Sequence, residues 1–173
     1  MTRSPGKLIA VSALFTALGL ILGYIETFIV LPIRVPGIRI GLSNIITVIT
    51  LFLFGPYVTA AVLFSRVILS ALLFGSGMSF IYGICGAVTA FGVMIIFKRF
   101  GFSVCGVSVA GAVMHNIAQI VVAFFFVGNG YVFTYIFALV PAGICAGLIV
   151  GALANLIIAR LKRIDTGLGK EQT

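Results

Sequence analysis

One cation, one acid and a short polar stripe stand out from a chain that is 62% hydrophobic and only 8% charged. Arg66 interrupts the apolar stretch Tyr57 to Phe74, and a guanidinium in such surroundings needs an anion, either from a ligand or from within the chain. Glu26 is the obvious internal partner, because no other acid precedes Asp165. Arg66 therefore reads as the anchor for a ligand's anionic group or as half of a structural ion pair. Both roles hold together if Glu26 orients Arg66. His115, Asn116 and Gln119 form the second group; spacings of three and four set His115 and Asn116 each beside Gln119 on a helix surface. Such amides and imidazoles tie membrane helices together or contact a ligand, and three in one stripe favour a site. Asn44, next to Ser43 at the start of a short apolar segment, suits a ligand contact or a helix cap.

The absences narrow the chemistry. The chain holds three acids, with no paired aspartates to hold Mg²⁺ and no glycine-rich loop with a lysine to cradle phosphates. Prenyl-diphosphate chemistry and ATP hydrolysis have no residues to carry them. There is no Ser–His–acid set and no cysteine–histidine metal spacing. Cys85, Cys105 and Cys145 lie inside apolar segments and read as small buried hydrophobes. No enzyme activity, catalytic residue, metal or cofactor is expected.

The elements that position these groups follow from hydropathy. A mean hydropathy of +1.32 is outside the range of water-soluble domains, and long apolar runs without two-residue alternation favour helices over a barrel. Apolar segments run over 8–30, 42–54, 57–74, 78–97, 104–127 and 131–159, the last containing Pro141. An all-α integral membrane bundle of six transmembrane helices is predicted, although the second segment is short for a span and starts in the loop or lies buried among its neighbours. The first run continues to Leu31 without a small-residue cleavage site, so it is read as a span and not as a signal peptide. Residues 1–163 make a single transmembrane domain, with 164–173 as a polar cytoplasmic tail. Pro32 to Gly41, with two further turn formers in Pro36 and Gly37, marks the main loop.

Net charge is +8, but the basic residues sit at helix ends and form no run suited to nucleic acid. Arg3, Lys7, Lys98, Arg99, Arg160, Lys162 and Arg163 share one side in a six-span topology, while only Arg34 and Arg39 fall opposite. The positive-inside bias puts both termini in the cytoplasm and the protein in the cell membrane. Arg34 and Arg39 do not serve topology, which makes them candidates for binding. Small residues at four-residue spacing, Ala13 and Ala17, Gly19 and Gly23, and Gly143, Gly147 and Gly151, allow close helix approach. Internal packing is the favoured use in the sixth helix.

The stretch Glu26 with Leu31-Pro32, then Pro36-Gly37-Ile38-Arg39-Ile40-Gly41-Leu42-Ser43-Asn44, and later Gly111 to Gln119 resembles the Gx transporter, or heptaprenyl diphosphate synthase component I, family. That family is similar to the substrate-binding S components of energy-coupling-factor (ECF) transporters. The resemblance spans nearly the whole chain. It implies a six-helix S component that holds a small vitamin-like ligand under the 32–41 loop. It also implies docking through an alanine-x-x-x-alanine motif, matched by Ala13 and Ala17, onto a coupling membrane subunit driven by two ATPases. The expected substrate-binding set is Glu26, Arg34, Arg39, Asn44, Arg66, His115, Asn116 and Gln119, for a ligand with a negative group and an apolar body. The prenyl label suggests the alternative of an accessory membrane subunit in a quinone- or flavin-linked redox or prenyl-quinone pathway.

Overall fold

The computed structural model describes residues 5–28, 41–74 and 77–168. Among these residues the chain forms α1 (Pro5–Phe28), α2 (Asn44–Phe54), α3 (Pro56–Phe74), α4 (Gly77–Arg99), α5 (Val104–Val127) and α6 (Ile136–Leu168), with a 3-10 turn at Gly130–Tyr135 and no strand. Five of the helices are long and apolar enough to cross a bilayer. The chain is an all-α, multi-pass membrane bundle, and α2 is the short member. In lipid every backbone polar group must be paired inside the protein. Four hydroxyls follow the same rule, since Thr16, Thr50, Thr59 and Thr89 each donate to the carbonyl four residues earlier, whereas the buried Thr47 hydroxyl has no partner among the described residues.

Helix ends follow local chemistry. The Ser103 hydroxyl accepts the Gly106 N–H and starts α5, while Gly128, at φ 67°, ends it with its N–H on the Phe124 carbonyl. Gly55, at φ 83°, turns the chain directly from α2 into α3. The last helix differs from the expected 131–159. Asn129 accepts the Tyr131 N–H at 3.0 Å and the Thr134 hydroxyl donates to the Tyr131 carbonyl at 2.7 Å, so the entry winds as a 3-10 turn. The α-helix then runs through Pro141 to Leu168. It passes Ala159 because Arg160, Leu161, Lys162 and Arg163 are good helix formers, and polarity alone does not stop a helix.

α2 is the centre of the bundle. Its residues Ile45 through Leu51 are all buried, and they pack with Val62, Met94, Val107, Val150, Ala154 and Ile158 from α3, α4, α5 and α6. Its last turn leaves carbonyls without intrahelical donors, and one of them is taken from across the fold. The Lys98 ammonium at the end of α4 donates to the Leu51 carbonyl at 2.5 Å and lies 5.1 Å from the centre of the Phe52 ring. This is a charge-assisted C-terminal cap.

α4, α5 and α6 form a close-packed wall. A Cβ on Gly147 would stand 2.6 Å from the Val109 Cα, and one on Gly151 2.7 Å from the Cys105 Cα. The α6 glycine row therefore serves packing inside the bundle, against α5. Met94 of α4 fills the notch at Gly111 of α5 in the same way, with its Cε only 2.1 Å from where a Cβ would stand. Large apolar side chains such as Ile9, Leu72, Ile96, Phe125 and Phe137 remain exposed, as a lipid-facing surface requires.

Two substitutions test this packing. Gly147→Val should lower stability in detergent by about 1–3 kcal/mol through overpacking. Gly92→Ala, with open space around the position, should change it by less than about 0.5 kcal/mol. Lys98→Met should cost about 1–2 kcal/mol, because it keeps the stem but leaves the Leu51 carbonyl without its charged donor. Thermal unfolding of the purified variants reads all three, and an unchanged Lys98→Met protein would remove the capping role.

Candidate functional site

A cavity of about 730 Å³ lies within the bundle, in the roughly 300–1,000 Å³ range common for small-molecule sites. Its floor is made of small residues, including Ala87, Ala112, Gly143 and Gly147, with Ser108 and Val150. Tyr24, Tyr82, Tyr135, Met78 and Val127 line its far end, where Tyr82 stacks on Phe126 with centroids 6.2 Å apart. Between floor and mouth lies a polar belt of Glu26, Ser43, Asn44, Arg66, Ser70, His115, Asn116 and Gln119.

The level of this belt follows from the length of α2. Asn44 and Arg66 are equidistant in sequence from Gly55, the turn that joins the antiparallel α2 and α3. The beginning of α2 therefore stands beside the middle of α3. Gly19 of α1 reports the same level, since a Cβ there would touch both Arg66 and Ile46. The helix thus begins inside the bundle, and its first residues, Ser43 and Asn44, line the cavity. The positive end of a helix dipole points at a site in the way that broken helices of membrane transporters present their N-termini to anions. A guanidinium at the same level adds a full positive charge.

Glycines make room for the two long polar side chains. A Cβ on Gly19 would stand 2.7 Å from the Arg66 Cδ, so the aliphatic stem of Arg66 lies across α1. A Cβ on Gly86 would stand 2.6 Å from the His115 Cε1 and 2.7 Å from its Nδ1, so the imidazole packs against the α4 backbone. The Gly19 and Gly23 pair, expected to bring helices together, faces Arg66 and Ser43 instead. Gly86 was not among the expected site residues; nothing in the sequence connects it to a histidine on the next helix.

The remaining expected residues divide by what holds them. The buried Glu26 accepts the Gly41 N–H at 2.5 Å, which ties this carboxylate to the backbone just before α2. Asn116 donates from Nδ2 to the Leu139 carbonyl at 2.8 Å, and so joins α5 to α6 beside Pro141. Gln119 is buried and lines the cavity, while its Oε1 accepts no hydrogen bond among the described residues. Asn44 lines the cavity at the first turn of α2, and no side-chain cap bond comes from its neighbour Ser43. Arg34 and Arg39 lie outside the described residues. Ala13 and Ala17 are away from the cavity, exposed on the outer face of α1. No group of three metal-ligating side chains occurs among the described residues, and the free thiols Cys85 and Cys105 are half-buried and Cys145 exposed, where burial was expected for all three.

The model of the family described as heptaprenyl diphosphate synthase component I matches residues 15–157. The chain belongs to this family. The match takes in every described residue of the polar belt. No curated protein and no solved structure matches the chain. The heptaprenyl diphosphate synthase component I family is named for a component, which accords with a membrane subunit that works beside other chains.

The two neighbouring amides of α5 should respond in opposite ways to the same substitution. Asn116→Leu removes a donor from a buried carbonyl and should cost about 1–3 kcal/mol. Gln119→Leu replaces a buried oxygen that has no donor and should leave the ligand-free protein as stable or more stable. Parallel melting curves in one detergent decide it; equal losses in both variants would contradict the assigned partners.

Proposed function

We propose that the chain is the solute-binding membrane subunit of an ECF-type transporter, taking up a small anionic molecule with an apolar body. The observation that carries this reading is the cavity itself. In a bundle with almost no polar residues to spare, Arg66, His115, Asn116, Gln119, Glu26 and Asn44 all line one space, at the level where α2 begins. A lipid-exposed scaffold has no need to turn these groups inward, whereas a binding site does. The small-residue floor and the tyrosines suit the apolar body of such a ligand. Binding, without chemistry, is the role these side chains suit.

Orientation and partners complete the reading. Lys7, Lys98, Arg99, Arg160, Lys162 and Arg163 gather at the end of the bundle that holds both helical termini; the positive-inside bias makes that end cytoplasmic, with the cavity mouth outside. The exposed Ala13 and Ala17 on α1 suit close docking onto a coupling membrane subunit served by two ATPases. The family description supports a second reading, an accessory membrane subunit in a prenyl or quinone-linked pathway. The two readings predict different companions on purification from native membranes: a coupling subunit with ATPases, or redox and prenyl enzymes.

A panel of anionic metabolites, screened by thermal stabilisation of the detergent-purified protein, tests the binding role. A ligand present at a hundred times its Kd adds about 2.7 kcal/mol of stability. Arg66→Ala should abolish the shift produced by any hit. Absence of stabilisation across vitamins, flavins and isoprenoid precursors would count against the transporter reading. Ala13→Leu should break the complex with a coupling subunit while leaving ligand stabilisation intact, and retention of the complex would remove the docking assignment.

A further inference from the structure

Among the described residues the cavity lining includes the glycines Gly19, Gly23, Gly41, Gly83, Gly143 and Gly147. Their contacts explain four of them. Gly41 holds a φ of 77° at the turn before α2, where a side chain would be strained. A Cβ on Gly19 would stand 2.7 Å from the Arg66 Cδ, one on Gly143 2.9 Å from the Asn116 Nδ2, and one on Gly147 2.6 Å from the Val109 Cα. Gly23 and Gly83 have no such reason. The nearest atom to a Cβ on Gly23 is the Ser43 Cβ at 3.7 Å, and to one on Gly83 the Val67 Cγ1 at 3.9 Å, both ordinary van der Waals separations.

Both residues stand inside a helix, where glycine is less favourable than alanine. Both also point inward. On α1, Gly23 continues the buried row of Thr16, Gly19 and Glu26 at spacings of three and four. On α4, Gly83 shares its face with Ala90 and Met94, which are 3% and 1% exposed. A side chain at either position would therefore enter the cavity and not a neighbouring helix. Gly92 has equally open surroundings, but it lies on the opposite face of α4, exposed and away from the cavity.

The two clearings share a level. Gly23 is one turn beyond Gly19, which carries the stem of Arg66, and Gly83 faces Val67, the residue after Arg66. Because α1 and α4 both pack on α3, the absent side chains widen the space across the bundle beside the guanidinium. Tyr24 and Tyr82, the sequence neighbours of the two glycines, also line the cavity. Aromatic faces next to bare backbone suit flat rings.

We propose that Gly23 and Gly83 set the width of the ligand, so that the substrate class is acids whose anionic group sits close to a fused-ring apolar body. The rings occupy the space that the two side chains would fill. This rests on the binding role proposed above and adds a shape to it. A single-ring or unbranched acid leaves part of the clearing empty and forgoes that contact.

Two acids of equal charge, 1-naphthylacetate and phenylacetate, test the rule by titration of the detergent-purified protein. Wild-type protein should bind 1-naphthylacetate roughly tenfold or more tightly than phenylacetate. Gly23→Leu and Gly83→Leu should each weaken 1-naphthylacetate by roughly tenfold or more, and phenylacetate by less than about threefold. Gly92→Leu should leave both affinities unchanged. If a leucine variant does not fold, Gly23→Ala and Gly83→Ala carry the same comparison: they should melt no lower than wild-type protein without ligand, yet lose about threefold or more in 1-naphthylacetate affinity alone. Unaltered 1-naphthylacetate binding in the variants, or an equal loss of both acids, overturns the width rule and leaves the binding role standing. So does failure of 1-naphthylacetate where other acids of the panel bind. Failure of every acid removes the binding role and the rule with it.

Discussion

The short helix α2 is the constraint on which the rest of the bundle depends. A helix of this length cannot cross the hydrocarbon core, yet in lipid neither of its ends can be left without hydrogen-bond partners. The fold resolves the two ends differently. At the C-terminal end, Lys98 reaches across from α4 to the Leu51 carbonyl. At the other end, turns from Gly41 and Leu42 serve the N–H groups of Asn44 and Ile45, and Glu26 receives the Gly41 N–H. The cavity lies at the level where α2 begins, with Gly41, Ser43 and Asn44 in its lining.

The polar belt is arranged around that level. Arg66 is opposite the beginning of α2 because the Gly55 turn makes the two helices antiparallel. His115 arrives from α5 and lies on the α4 backbone, while Arg66 lies on α1. In each case a glycine on one helix accepts a long side chain from another. The belt is thus assembled from pairs of helices, and among the described residues its positive character comes from the Arg66 guanidinium supported by a helix dipole.

Much of this was legible in the sequence. α5 has the bounds expected for it, because Ser103 and Gly128 are strong start and stop signals. The spacing of His115, Asn116 and Gln119 placed them on one helix face, and the structure sets all three on the cavity. The division of labour within the stripe was not legible: Asn116 is engaged by the Leu139 carbonyl, far away in sequence, and only packing brings the two together. The same holds for Lys98 and Leu51, and for Gly86 and His115. Lys98 in particular reads from sequence as a topology signal alone. α6 ran beyond its expected end because hydropathy marks where lipid stops, whereas the helix continues as long as its residues favour the conformation. Arg34 and Arg39 fall outside the described residues.

The glycine contacts along α5 and α6 also bear on mechanics. Backbones in direct contact, keyed further by Met94 in the Gly111 notch, leave no slack for sliding. α4, α5 and α6 therefore form the tightly packed side of the bundle, and α5 carries His115, Asn116 and Gln119 within it. α1 packs far less extensively on its neighbours, and it contributes Glu26 and the groove for Arg66. The slack in the bundle therefore lies on the α1 side, where packing is less extensive, and not in the wall of α4, α5 and α6.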